Sequence, residues 1–139
     1  MDGTLKTKEK WGAHVTASGF TIVPNHLLSI NQFVQAEKMI SPTEMLVLLQ
    51  VLSAWWSAER LPFPSKITIA QRTGLSTRQV QRALAGLEEK GYLKRVARFS
   101  DNKSRKSNSY DLSQLVEEIS RIAKENPKIF KSTIAEDVS

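Results

Sequence analysis

The sequence predicts a mainly α-helical chain with one small β-hairpin and an additional helix behind it. Three observations carry that expectation. Ser41-Pro42-Thr43-Glu44 opens a helix with a cap, a proline at the first helical position and a capping-box glutamate. Two short segments with apolar residues at helical spacing meet at Gly74. Residues 92–112 then form two β-rich runs about a polar, basic turn, as two antiparallel strands would.

Taken in order, residues 1–19 are polar and weakly patterned apart from Trp11, and are expected as a flexible basic arm. Phe20-Thr21-Ile22-Val23 predicts a short strand closed by Pro24. Asn25 is an N-cap candidate, and Leu27, Leu28, Ile30, Phe33, Val34 and Met39 predict one helix with a broad apolar face. From Ser41 the next helix runs through Met45, Leu46, Leu48, Leu49, Leu52, Trp55 and Trp56. It is apolar almost all round, so it is expected at the centre of the core. Arg60-Leu61-Pro62-Phe63-Pro64 cannot continue a helix.

Ser65 caps a short helix from Lys66 to Thr73 with Ile67, Ile69 and Ala70 inward, and Leu75 plugs the turn at Gly74. Ser76 caps a further helix to about Lys90, whose Val80, Ala83, Leu84 and Leu87 fall at i, i+3, i+4 and i+7. Gly91 stops it in the left-handed conformation that glycine tolerates best. Strands at 92–99 and 108–112 flank the turn 100–107. Ser113 caps the last helix, 113–125, with Leu115, Val116, Ile119, Ile122 and Ala123 on one side. Leu112, Leu115, Val116, Ile119 and Ile122 form a stripe either for pairing as a homodimer or for packing back on the first two helices of the same chain. Residues 126–139 open with Asn-Pro and are expected as a loosely ordered tail.

A chain of 139 residues with 40% hydrophobic content suits one domain with one core. The absence of cysteine excludes disulfides, Cys-ligated zinc and thiol catalysis. MDGTLKTKEK has no apolar run of the secretory kind, and the densest apolar stretch, Met45 to Trp56, is broken by Gln50 and Ser53. It falls short of the roughly 20 apolar residues that span a membrane. The chain therefore reads as soluble and cytoplasmic, with no membrane partner. Its charge is concentrated. Between Arg60 and Tyr110 lie twelve cations and three anions, whereas the rest of the chain holds eight cations and eleven anions. That asymmetry is the footprint of a phosphate-binding surface, or else of a solvated basic face.

The local motifs favour the first. Two short helices joined by a Gly-containing turn, the second followed by a basic hairpin, form the pattern of a winged helix-turn-helix. The inner set of the helix at 76–90 leaves Thr77, Arg78, Gln79, Gln81, Arg82 and Ala85 for its other faces. Arginine can bond bidentately to guanine and glutamine to adenine, and the start of such a helix is where it enters the major groove. Ser65, Lys66 and Ser76, with the helix N-terminal amides beside them, are placed to hold backbone phosphates. In the wing, 99–107, Arg98, Lys103, Arg105 and Lys106 can follow the backbone or reach the minor groove.

IAQRTGLSTRQVQRALAGLEEKGYLKR resembles the helix-turn-helix of bacterial winged-helix regulators. The longer span FTIVPNHLL…SPTEMLVLLQVLSAWW…PSKITIAQRTGLSTRQVQRAL resembles helix-turn-helix domains of plasmid and phage proteins, replication initiators among them. The resemblance covers residues 20–112 and implies a winged helix-turn-helix DNA-binding domain. It implies a sequence-specific, double-stranded-DNA-binding regulator or plasmid or phage maintenance factor, associated with nucleoid or plasmid DNA. The alternatives are an origin-binding domain of a replication initiator and a winged-helix protein-interaction module.

Other chemistries find no footing. His14 and His26, twelve apart, make a poor metal site, and no metal or other cofactor is expected. There is no Gly-x-Ser-x-Gly, Walker loop or Gly-x-Gly-x-x-Gly. The pairs Glu88-Glu89 and Glu117-Glu118 diverge on a helix, so no enzyme is expected. Trp55-Trp56 is expected as core packing rather than a stacking platform for single strands.

Overall fold

The computed structural model describes residues 3–128. Along the chain run α1 (Gly3–Trp11), α2 (Ala13–Ser18), α3 (Asn25–Leu28), α4 (Pro42–Ser53), α5 (Lys66–Thr73), α6 (Thr77–Glu89), β1 (Lys94–Phe99), β2 (Arg105–Asp111) and α7 (Ser113–Glu125). Between α3 and α4 lie two 3-10 turns, Ile30–Gln32 and Ala36–Lys38. The architecture is the expected one, mainly helical with a hairpin wing and an extra C-terminal helix.

The core gathers around α4 and α6. Val47, Leu48 and Val51 of α4 meet Val80, Ala83, Leu84 and Leu87 of α6, with Ile69 of α5 and Leu75 of the turn alongside. All four inward residues expected on α6 are buried. β1 and β2 pair antiparallel, with Lys94 opposite Asp111 and Val96 opposite Ser109. An irregularity follows between Val96 and Arg98, beyond which Arg98 faces Lys106 and Phe99 faces Arg105. The Tyr110 amide also donates to the Pro62 carbonyl at 2.9 Å, so the α4–α5 connection braces the base of the hairpin.

A polar seam sets how α6 lies on α4. Ser41 accepts from the Glu44 amide at 3.1 Å, and the Glu44 carboxylate accepts from the Ser41 amide at 2.9 Å. The same carboxylate takes the Lys90 ammonium from the end of α6. Burial pushes the Glu44 carboxyl up, but the Lys90 and Ser41 bonds outweigh it and hold the group below the usual glutamate value. Lys38 donates to the Lys90 carbonyl and lies over the ring of Tyr92, whose hydroxyl donates to the Lys38 carbonyl at 2.6 Å. Gly86 faces this seam: a Cβ there would stand 2.1 Å from Glu44 Oε2, so any larger residue must push the carboxylate out of its present position.

Several expectations need correction. Residues 3–18, read as a flexible arm, carry two short helices separated by Gly12 at φ 90°, although little of them is buried. Residues 20–23 form no strand, because no described segment pairs with them, and a lone β-rich run gains no ladder bonds. The single helix expected from Asn25 to Met39 breaks after one turn. The folded arrangement brings Asn31 to Ile40, its side-chain amide donating to the Ile40 carbonyl at 2.8 Å and accepting from the Ile40 amide at 2.7 Å. A continuous helix, rising about 13 Å over nine residues, could not make those two bonds. The α4 helix stops at Ser53, short of the tryptophans, and Trp56 is 82% exposed. Its ring N–H donates to the Ser53 carbonyl at 3.2 Å, one of the carbonyls a helix end leaves open. Ile67, expected inward, is 62% exposed. β2 begins at Arg105, inside the expected turn.

At α7 the capping role passes from Ser113 to Asp111, whose carboxylate accepts from the Ser113 amide at 2.9 Å. That bond holds the Asp111 carboxyl below its ordinary value. Leu115 and Ile122 of the expected stripe are buried in their own chain's core, and Val116 is left exposed. His26 on α3 bonds the Asn126 carbonyl at 2.6 Å and ties α7 down at its far end. Most of the tail expected at 126–139, namely 129–139, lies outside the described residues, as do Met1 and Asp2.

Candidate nucleic-acid interface

The angle between α5 and α6 is made by a short bonded turn. Ser65 caps α5, accepting from the Thr68 amide at 3.0 Å. At the other end the Gly74 amide returns to the Ala70 carbonyl at 2.9 Å with Gly74 at φ 80°, a conformation that side chains avoid. The Thr73 hydroxyl donates to the Ile69 carbonyl at 2.7 Å and accepts from the Leu75 amide at 3.3 Å. Ser76 then starts α6 with a second capping box. Its hydroxyl accepts from the Gln79 amide at 3.1 Å, and Gln79 Oε1 accepts from the Ser76 amide at 2.9 Å. The amides of the first turn of α6 point out of the helix end, as donors toward an anion.

Thr77, Arg78, Gln79, Gln81 and Arg82 are all exposed, but they do not share one face. Arg78, Gln81 and Arg82 stand at i, i+3 and i+4 and form the outer ridge of α6. Thr77 turns toward the hairpin. With Ser65, Lys66 and Ile67 of the α5 start it walls a groove of about 510 Å³ whose far side is Arg105, Lys106, Ser107 and Asn108 of β2. Gln79 and Arg82 border a shallower hollow against Ser41 and Thr43 at the start of α4. The interface is thus a ridge with a cationic groove beside it.

Local bonds grade the freedom of the site residues. Gln79 has its carbonyl oxygen engaged in the cap, which leaves its NH₂ group as the free donor. The Ser65 hydroxyl donates to Thr68 Oγ1 at 2.9 Å, so its proton is not offered to a ligand. Arg98 lies 4.0 Å from the Phe63 ring centroid and donates to the Ser107 carbonyl at 3.3 Å. These contacts tie it to the Phe63 connection and to the paired strand. Arg105 bonds Asn108 Oδ1 at 2.7 Å and sits over Phe99, which aims the guanidinium along the groove wall. Lys103 and Lys106 are exposed, with Lys103 at φ 67° on the turn. Asn102 organises that turn, accepting from the Ser104 amide at 3.1 Å and the Ser104 hydroxyl at 2.7 Å.

Of the three acids in the basic segment, Glu88 is paired within the fold, and Glu89 and Asp101 are exposed. Glu88 accepts from the Arg95 amide at 3.0 Å and from its guanidinium at 2.7 Å. The amide bond leads in holding the Glu88 carboxyl below its usual value. Asp101 is the one acid on the wing turn. Among the described residues no cluster of three His, Asp or Glu is placed to hold a metal.

Three features of this surface do not follow from the sequence reading. The first is the capping box at Gln79, whose signal is Ser-x-x-Gln before an apolar run. The second is exposed Ile67 in an otherwise polar groove, for which its position on the α5 helical wheel, opposite Ile69, was the available signal. The third is Phe63 as the platform for Arg60 and Arg98, which depends on contacts between separate elements and left no signal.

Residues 38–93 match the family model of a helix-turn-helix domain, a span that runs from the turn before α4 to the start of the hairpin. No curated protein matches the chain. Among solved structures, that of the transcriptional regulator PA3341 is 21% identical over 96% of this chain and 88% of that one, at a TM-score of 0.41. A likeness that distant has no bearing on function.

Proposed function

We propose, from the premise that residues 38–93 are a helix-turn-helix domain, that this chain binds double-stranded DNA by sequence and does no chemistry of its own. The observation that carries the reading is the outer ridge of α6. Arg78, Gln81 and Arg82 are exposed side by side and stand over a buried inner face that fixes their direction. Among the described residues, none of the three side chains is drawn into a hydrogen bond or ion pair of the fold. On DNA, α6 lies in the major groove with that ridge against base edges. Lys66, Ser76 and Thr77 face phosphates at the helix starts, with Ser65 as the cap that shapes the first of them, and Ile67 supplies an apolar contact of the kind thymine methyls accept. Lys103, Arg105 and Lys106 follow the backbone or the minor groove, with Arg98 holding the hairpin in shape.

The natural role of such a domain is transcriptional regulation or the maintenance of a plasmid or phage, on nucleoid or plasmid DNA in the cytoplasm. Two chains on two half-sites would give the length of sequence that a single domain cannot read. Sedimentation at tens of micromolar, free and on DNA, checks that pairing.

Affinity for a selected cognate duplex and a scrambled one, at several salt concentrations, tests the reading itself. Arg78→Ala or Arg82→Ala should cost about 1–3 kcal/mol on the cognate site and lower the cognate-to-scrambled ratio. Lys103→Ala and Lys106→Ala should weaken both duplexes alike and flatten the salt slope by about one unit each. If neither α6 substitution moves the ratio, α6 is not the reader.

A further inference from the structure

Away from the basic surface, residues 20–24, the end of α4 and α7 enclose a cleft of about 570 Å³. Its floor is the core itself, Leu27, Leu52 and Leu115, and Trp55 and Ile119 wall it. Ile22 and Trp56 stand on its rim at 79% and 82% exposure. None of its lining residues is charged, on a chain of which 24% is charged. Thr21 and Ser120 line it with hydroxyls that make no hydrogen bond among the described residues, whereas Ser53 donates its own to the Gln50 carbonyl at 2.7 Å.

We propose that this cleft binds an uncharged, largely apolar small molecule whose one or two hydrogen-bond acceptors meet Thr21 and Ser120. The volume falls within the roughly 300–1,000 Å³ of ligand clefts, and an apolar wall with a few convergent polar groups is their usual chemistry. Charge decides the class. A charged ligand would leave water for a site with no counter-ion, and nucleic acid would find no cation there. A second copy fits less well. A stable interface covers roughly 800 Å² on each partner, and the four exposed apolar residues of the cleft, Phe20, Ile22, Trp56 and Val116, supply only part of that.

N-Phenylnaphthylamine, a neutral probe, and anilinonaphthalene sulfonate, its anionic counterpart, separate the cases by fluorescence titration of the full chain. The neutral probe should show saturable enhancement at one site per chain, with the sulfonate at least about tenfold weaker because its charge is buried unpaired. Val116→Glu, adding a carboxylate at a partly exposed wall, should weaken the neutral probe by about tenfold or more on the same ground, and Ile22→Glu, at the solvated rim, should weaken it by a smaller but measurable factor. Phe99→Glu, at an exposed apolar residue outside the cleft, should leave it unchanged. Melting temperatures control for folding, and Ile22, being the more exposed, carries the test if Val116→Glu unfolds. Enhancement that does not saturate, equal binding of the two probes, or indifference to Ile22→Glu overturns the proposal. So does a dimer that excludes the neutral probe and is dissolved by both wall substitutions, since the cleft would then be an interface between copies.

Discussion

α4 and α6 begin with the same device and face it in opposite directions. Ser41 and Ser76 each accept from the amide three residues on, and Glu44 and Gln79 each reach back to the serine amide at 2.9 Å. At α4 the returning side chain is a carboxylate, buried and tied to Lys90 on the neighbouring helix. At α6 it is an amide, exposed on the surface proposed to meet phosphates. A glutamate at position 79 would cap as well and complement the helix dipole better. It would also put a negative charge where DNA would lie. The hydrogen-bond geometry of the motif is thus independent of its charge: buried, it takes the charge that joins two helices, and on the binding face it stays neutral.

That contrast can be broken first at its buried end. Glu44→Ala removes a cap acceptor and leaves Lys90 without its partner, and should cost about 2–4 kcal/mol. Gln79→Ala, at an exposed position, should cost about 0.5–1 kcal/mol. Chemical denaturation of both variants checks the difference. Because the folded Glu44 carboxyl lies below its usual value, its contribution is present above the unfolded glutamate value near 4.5 and lost as pH falls through the lower folded value. The acid limb of stability should therefore be shallower in Glu44→Gln than in the parent.

Gly86 sharpens the same comparison from the other side. Alanine gains about 1 kcal/mol in helix propensity, but its Cβ displaces a carboxylate whose charge-assisted bonds are worth about 1.5–3 kcal/mol each. Gly86→Ala should lose about 1–2 kcal/mol net, and regain it when Glu44 is also alanine. A double-mutant cycle with no coupling would separate Gly86 from the seam.

The smallest effect lies at the exposed box. Gln79→Glu should leave the melting temperature unchanged or slightly raised, since the cap survives. DNA affinity should fall about fivefold at low salt, near the ~1 kcal/mol of two unit charges 4 Å apart in water, and recover as salt rises. Equal affinity for both chains at low salt would place Gln79 away from the phosphates.

Elements were legible in the sequence where the signal is local. Pro42 and Glu44 announce one helix, Ser65 and Ser76 two more, and the spacing of Val80, Ala83, Leu84 and Leu87 identifies the buried face of α6. They were not legible where a distant partner decides. Phe20 to Val23 has strand composition but no neighbouring edge, and Asn31 pairs with Ile40, nine residues away and out of reach along a continuous helix. Gly86 carries no local reason at all, since its constraint is a side chain from another helix. For the candidate interface, the residue types of α6 were legible, but the division of Arg98, Gln79 and Ser65 between structural bonds and free donors was not.

The irregularity between Val96 and Arg98 divides the hairpin into two segments with different mechanical roles. Below it, Ser109 and Tyr110 are buried and the Pro62 carbonyl clamps the strand, so the base behaves as a fixed mount. Above it, residues 101–107 are exposed and held by bonds within the turn. A beam clamped at one end can change length at the other without loading its support. The tip can therefore be lengthened or shortened by a residue or two while the core that folds the domain stays as it is.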